Sequence, residues 1–354
     1  MAKSILFLPD ISGFTEFVEE TEVNHSQHVI AELLEILIES NIAEMELAEI
    51  EGDALFFYSE ESIPSQEILL AQITSMFTAF YSHLDLFREN RICPCNACAK
   101  APDLKLKIIA HCGEVEHIVV KGKRKPFGRK VIEAHRLLKN TVKGDSYALL
   151  TKELAQEVDL SFYYFSKIFH FKEGENKYDG KNLEYIYSFI DPLKLNLKPV
   201  PMVKTLVPDK KPNIHLHKRM NRSAAKLHSL ITDFSIRPQW VKGVDRFVFD
   251  GNEVNRMGTQ HLCVINGKNL SFTTIKKAVE PSQLVYGEHT TDASPFKRYY
   301  QIYIITPISD IHCKLEVEVY WTMKWSIFGR ILEPLVKRKV RENISESLEL
   351  LDGI

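Results

Sequence analysis

The chain has no apolar run approaching the roughly 20 residues that a membrane-spanning helix needs, which excludes a helical span. It has no basic surplus either: 45 Lys and Arg stand against 47 Asp and Glu, for a formal charge of -2. Duplex-binding proteins concentrate excess positive charge on one face, so nucleic acid is not an expected partner. The basic cluster Lys121-Gly122-Lys123-Arg124-Lys125 reads as a solvated turn. Internal repeats and low-complexity tracts are missing, so a repeat architecture is not expected. Met1-Ala2-Lys3 runs into a strand-like Ser4–Leu8 rather than a signal peptide, and a cytoplasmic setting is expected. Cysteine is scarce, six in all, and three crowd into Cys93-Pro94-Cys95-Asn96-Ala97-Cys98. In a reducing compartment that usage points to thiols or a metal before disulfides.

What is present is an ordinary globular composition. With 354 residues, 45% of them hydrophobic and 26% charged, the chain is long enough for two cores. Pro192, Pro199, Pro201, Pro208 and Pro212 fall in a stretch without sustained apolar periodicity. That predicts an extended linker over 191–213 between domains at 1–190 and 214–354. In the first domain a strand ending at Pro9 precedes a helix from Ser12 and a second helical stretch through Val29, Leu33, Leu34, Ile36 and Leu37. A hairpin follows, Met45–Ile50 and Ala54–Tyr58, turning on Glu51-Gly52-Asp53. A helix over 64–89, strands Leu104–Cys112 and Glu114–Lys121, and a helix from Gly128 complete a β-α-β-β-α-β order, the ferredoxin-like α+β arrangement. In the second domain Asn221-Arg222-Ser223 caps a helix reaching Phe234. Strands are expected over Arg246–Phe249, Asn269–Ile275, Arg298–Ile305 and His312–Trp321. An amphipathic helix from Ile327 closes the chain, with Ile331, Leu335, Val336, Val340, Ile344, Leu348 and Leu351 on one face. The reading is one helix laid along a curved antiparallel sheet.

Two carboxylates carry the chemistry. Asp10 stands at the end of the first strand and Asp53 in the hairpin turn, where both can share divalent ions, and the amides of Gly13, Phe14 and Thr15 follow at a helix start. The plainer reading is that Asp10 caps the helix and Asp53 makes the turn. Phe7-Leu8-Pro9-Asp10-Ile11-Ser12-Gly13-Phe14-Thr15 and Glu51-Gly52-Asp53-Ala54-Leu55-Phe56-Phe57 resemble, in order and spacing, the two metal-binding segments of class III nucleotide cyclases. Leu106 to Val115 is similar to that family's central strand. The resemblance implies two Mg²⁺ or Mn²⁺ ions on Asp10, Ile11 and Asp53, and a nucleoside triphosphate on Gly13, Phe14 and Thr15. It also implies base selection by Glu49 and Lys125, catalytic Arg136, and a homodimer that completes the site. Glu49 agrees with the guanine-selecting glutamate, whereas Lys125 matches neither selecting class. The family's ribose-orienting Asn falls on Ile132, which donates nothing. Lys177 or Lys181 takes the place of the late triphosphate lysine.

C-x-C-x-x-C offers three thiolates to one ion, and a structural Zn²⁺ site wants a fourth ligand, for which Cys112 is the candidate beside the alternative of free loop thiols. His111 points to the opposite strand face. Ala225 to Asp233, Arg237-Pro238-Gln239-Trp240-Val241-Lys242-Gly243-Val244 and the final helix resemble the START-like, polyketide-cyclase-like (SRPBCC) helix-grip family. That implies an apolar small molecule as ligand. Trp240, Trp321, Trp325, Tyr299, Tyr300 and Tyr303 line its cavity or form its core. Two functions follow: a cyclase-like signalling protein that forms a cyclic nucleotide, or a catalytically degenerate nucleotide-binding or dimerising head fused to a ligand-binding module.

Overall fold

The first strand, β1 (Ser4–Ser12), is an almost continuous apolar run, and Ile5 through Leu8 are buried. Such a run suits a central strand covered on both faces. In the computed structural model, which describes residues 3–178, 180–201, 210–251, 253–265, 267–324 and 326–354, β1 lies inside a seven-stranded sheet. After it come α1 (Phe14–Glu19), α2 (Val23–Glu39), β2 (Glu46–Glu51), β3 (Ala54–Ser59), α3 (Gln66–Asn90) and α4 (Asn96–Lys100). They are followed by β4 (Lys105–Gly113), β5 (Glu116–Val120), β6 (Lys123–Phe127), α5 (Arg129–Leu137), β7 (Tyr147–Thr151), α6 (Lys152–Glu157), β8 (Lys172–Tyr178) and β9 (Lys181–Phe189). The sheet order is β2-β3-β1-β4-β7-β9-β8, with β1 antiparallel to β3 and β4, and β4 parallel to β7. The first four strands realise the expected β-α-β-β-α-β unit.

Strand β1 runs past Pro9 to Ser12, against the expectation that it ends there. Pro9 falls where the β1–β3 register skips from Phe7↔Phe57 to Asp10↔Ala54, so its missing N–H costs no pairing on that side. The basic cluster is also more ordered than a turn. Lys121 and Gly122 reverse the chain at φ 49° and 77°, and Lys123–Phe127 becomes the second strand of a separate two-stranded sheet with β5.

The backbone divides into two compact units, Met1–Arg88 with Ala99–Val200, and Glu89–Cys98 with Pro201–Ile354. Of the expected linker, residues 202–209 lie outside the described residues. Its first part is held in place: the Asp191 carboxylate accepts from Leu193 N at 3.0 Å, and Lys198 N donates to Ser82 Oγ at 2.9 Å.

The second unit holds β10 (Ile214–Met220), α7 (Ala224–Thr232), β11 (Arg246–Val248), β12 (Gln260–Ile265), β13 (Lys268–Ile275) and β14 (Leu284–Thr290). Strands β15 (Phe296–Ser309) and β16 (His312–Met323) lead to α8 (Ser326–Asp352). Helix α7 starts where Ser223 Oγ accepts from Lys226 N at 3.2 Å, an N-cap. The seven strands form one antiparallel sheet in the order β10-β16-β15-β14-β13-β12-β11. Ile344, Leu348 and Leu351 of α8 join Trp240, Tyr303, Val317, Val319 and Trp321 in its core. Leu335 departs from the expected apolar stripe and is 66% exposed. The Ile331 side chain and all of Trp325 lie outside the described residues. No helix among the described residues is long and apolar enough to cross a membrane.

Candidate functional site

Asp10 and Asp53 meet at one end of the β1–β3 ladder. Asp10 sits opposite Ala54, Ile11 N donates to the Asp53 carbonyl at 3.1 Å, and Gly52 at φ 66° makes the turn that presents Asp53. Asp10 is therefore inside the strand rather than capping a helix. Gly13, at φ 88°, takes the N-cap position of α1 with no side-chain cap, and Phe14 and Thr15 open the helix. Ile11 is fully buried and its side chain is aliphatic, so only its main-chain carbonyl could serve as a ligand.

A residue that sequence reasoning missed faces this pair. Lys107 of β4 lies opposite Asp10, with Nζ 3.5 Å from Asp10 Oδ1, and donates to the Leu138 carbonyl at 3.3 Å. Removal from water pushes the Asp10 carboxyl up to about 6, with Lys107 opposing the rise and Asp53 adding to it. Asp53 is also raised by burial. Two acidic groups held out of water with a single lysine between strands form a site that a divalent ion would relieve, which fits the metal expected from Asp10, Ile11 and Asp53.

The two expected base-selecting residues come together. Lys125 Nζ on β6 and Glu49 Oε1 on β2 are 2.7 Å apart, so each currently satisfies the other. On α5, Arg136 lies in the last turn, while Ile132 is 51% exposed. Glu133, between them in sequence, points inward and gathers cations. Its carboxylate faces His111 Nε2 at 3.3 Å, Lys181, Lys130 at 3.5 Å and Arg129 at 2.9 Å, and these hold it well below the usual carboxylate range. His111 Nδ1 meets Thr151 Oγ1 at 2.9 Å. His111 is thus a packed residue, and Lys181 is engaged with Glu133 while Lys177 is exposed.

Cys93, Cys95 and Cys98 cluster, and Cys112 is buried in β4, opposite Ile5 of β1. In the second unit Trp240, Tyr303 and Trp321 are core, whereas Tyr300 packs on a separate cluster with Ile275, Val285 and Tyr320. The same core encloses a buried ion pair that no sequence signal marked. Arg237, 1% exposed, is bonded to Glu288 and has aromatic rings of Phe234, Trp240, Phe247 and Tyr286 within 5.1–5.6 Å. Tyr286 Oη donates to Glu288 at 2.7 Å, and His261 Nε2 stands 3.3 Å from it.

Residues 30–147 match the family described as a protein of unknown function, DUF2652. The uncharacterised protein Rv2561/Rv2562 of Mycobacterium tuberculosis is 33% identical over 132 residues, 37% of this chain and 61% of that one. The chain therefore spans less than two thirds of that relative. The adenylyl cyclase CyaB from P. aeruginosa is similar in structure at 18% identity and a TM-score of 0.40, over 54% of this chain and 94% of that one. The guanylate cyclase domain of RhGC from Catenaria anguillulae is similar at 13% and 0.39, over 53% and 97%. A START superfamily protein from Mycobacterium smegmatis is similar at 18% and 0.31, over 40% and 94%.

Proposed function

We propose that the first unit is a cyclase-like head that binds a purine nucleoside triphosphate with Mg²⁺ or Mn²⁺. The observation that carries this reading is the meeting of Asp10 and Asp53 at one strand end, with Asp10 raised to about 6 by burial. Asp10, the Ile11 carbonyl and Asp53 would hold the ions. When bound, they would neutralise phosphate charge and position the triphosphate. Gly13, Phe14 and Thr15 follow as its main-chain contacts, Glu49 and Lys125 as contacts to the base, and Arg136 as the donor to the reacting phosphate. In the enzyme form the ribose 3′-oxygen bonds to the α-phosphorus and pyrophosphate leaves.

A homodimer belongs to the same reading. The β5–β6 hairpin stands apart from the main sheet and exposes Ile118, Val119, Val120 and Phe127. Two strands alone are marginal in water, so an apolar hairpin of this kind favours a partner, here a second copy. The second unit would accept an apolar small molecule beneath α8, supported by the helix-on-sheet architecture and the aromatic lining of its core.

The second reading is a degenerate head that binds nucleotide without turnover, favoured by Ile132, an exposed side chain with no donor. The decisive experiment incubates the pure protein with GTP or ATP and Mn²⁺. A cyclic product lost in Asp53→Ala supports the enzyme. Intact nucleotide binding without product supports the degenerate head, and neither binding nor product overturns both.

A further inference from the structure

The strongest unassigned chemistry lies in the loop after α3. Pro94 fixes the backbone between Cys93 and Cys95, and Cys98 follows inside α4. Cys93 and Cys98 are 7% and 2% exposed, Cys95 is partly exposed, and none of the three is in a disulfide. The Cys98 main-chain N–H donates to Cys95 Sγ at 3.4 Å, a contact that stabilises negative charge on that sulfur. The Sγ atoms of Cys93, Cys95 and Cys98 all lie within 4.8 Å of one another.

Tetrahedral zinc with bonds of about 2.3 Å to sulfur sets its ligand sulfurs about 3.8 Å apart, so closing this group around one ion takes movements of about 1 Å. A disulfide would use two of the three thiols and leave the third without a task. Three thiolates cannot share this loop without a cation. A divalent ion supplies the missing charge.

We propose that Cys93, Cys95 and Cys98 form a structural site for a single zinc-class ion, separate from the Mg²⁺ or Mn²⁺ chemistry of Asp10 and Asp53. Three sulfurs drawn from six consecutive residues tie the loop to one ion, so the ion orders the loop rather than catalysing.

The test uses the full chain purified under reducing conditions without chelator. Elemental analysis is expected to give one zinc per chain, and Co²⁺ substitution a tetrahedral sulfur-rich spectrum. Cys95→Ser and Cys98→Ser lose the ion, whereas Cys112→Ser keeps it. Because those variants can misfold, the wild-type chain is also stripped with chelator and titrated with Zn²⁺ while thiols are counted. Three of the six cysteines are expected to become protected at one equivalent. Zinc missing from both the purified and the titrated protein, or an iron–sulfur spectrum, overturns the proposal. So does loss of the ion in Cys112→Ser to the extent seen in Cys95→Ser. None of these outcomes depends on nucleotide binding.

Discussion

Replacing Asp10 by Asn tests the logic of the acidic pair directly. Carrying a carboxyl from its ordinary 3.8 to about 6 corresponds to about 3 kcal/mol of disfavoured ionisation. The side chain is only 13% exposed, so solvent screening removes little of that. The folded state holds the proton more tightly than the unfolded state between pH 3.8 and about 6. Stability contributed by this group is therefore present at low pH and falls as pH rises through that window, and the full cost applies above it. Asp10→Asn removes the charge, while Lys107 keeps its bond to the Leu138 carbonyl.

The variant is expected to match wild type near pH 3.5 and to be more stable at pH 8 by up to about 3 kcal/mol. For a unit of this size that is a rise in melting temperature of roughly 6–12 °C. Differential calorimetry reads it, and the transition of the first unit is the one silent in tryptophan fluorescence, because Trp240, Trp321 and Trp325 all lie in the second. Mn²⁺ at 100 times its dissociation constant is expected to raise wild-type stability by about 2.7 kcal/mol and leave the variant unmoved. A variant less stable than wild type at pH 8, or equal stabilisation of both proteins by Mn²⁺, refutes the reasoning.

Three further outcomes follow from the same structure. Ile132→Asn restores a donor at an exposed position, so stability changes by under about 0.5 kcal/mol. In the enzyme reading, cyclic-product formation with GTP and Mn²⁺ rises by roughly two to three orders of magnitude. In the dimer reading, Val119→Glu with Val120→Glu, at positions 68% and 57% exposed, leaves the folded chain intact and shifts sedimentation from dimer to monomer. Arg237→Met strands the Glu288 carboxylate in the core and costs about 3–5 kcal/mol in urea unfolding, part of which the double change with Glu288→Gln recovers.

The apolar runs and turn residues made most of the first unit legible. Glu51-Gly52-Asp53 located its hairpin because a glycine at positive φ has few other uses there. Pro9 misled because sequence records its missing N–H but not that the neighbouring ladder skips that position. Strands β12 and β14 escaped notice because His261 and Glu288 sit on their buried faces, which breaks the alternation that marks a half-buried strand. Lys107 was hidden for a similar reason. It lies in a strand whose apolar neighbours suffice to explain the strand, and only the register with β1 brings it to Asp10. The Arg237–Glu288 pair joins residues 51 positions apart, and such a pairing leaves no local pattern.

The Glu49–Lys125 ion pair has a consequence for any ligand of the first unit. A purine reaching that edge would compete with an internal mimic of its own recognition, since each side chain already holds the opposite charge it would otherwise offer to a base. Nucleotide affinity would then carry a fixed internal discount. Because both groups are about 40% exposed, added salt would loosen their mutual hold while also weakening attraction to the triphosphate. Binding would pass through an optimum in ionic strength rather than decline steadily.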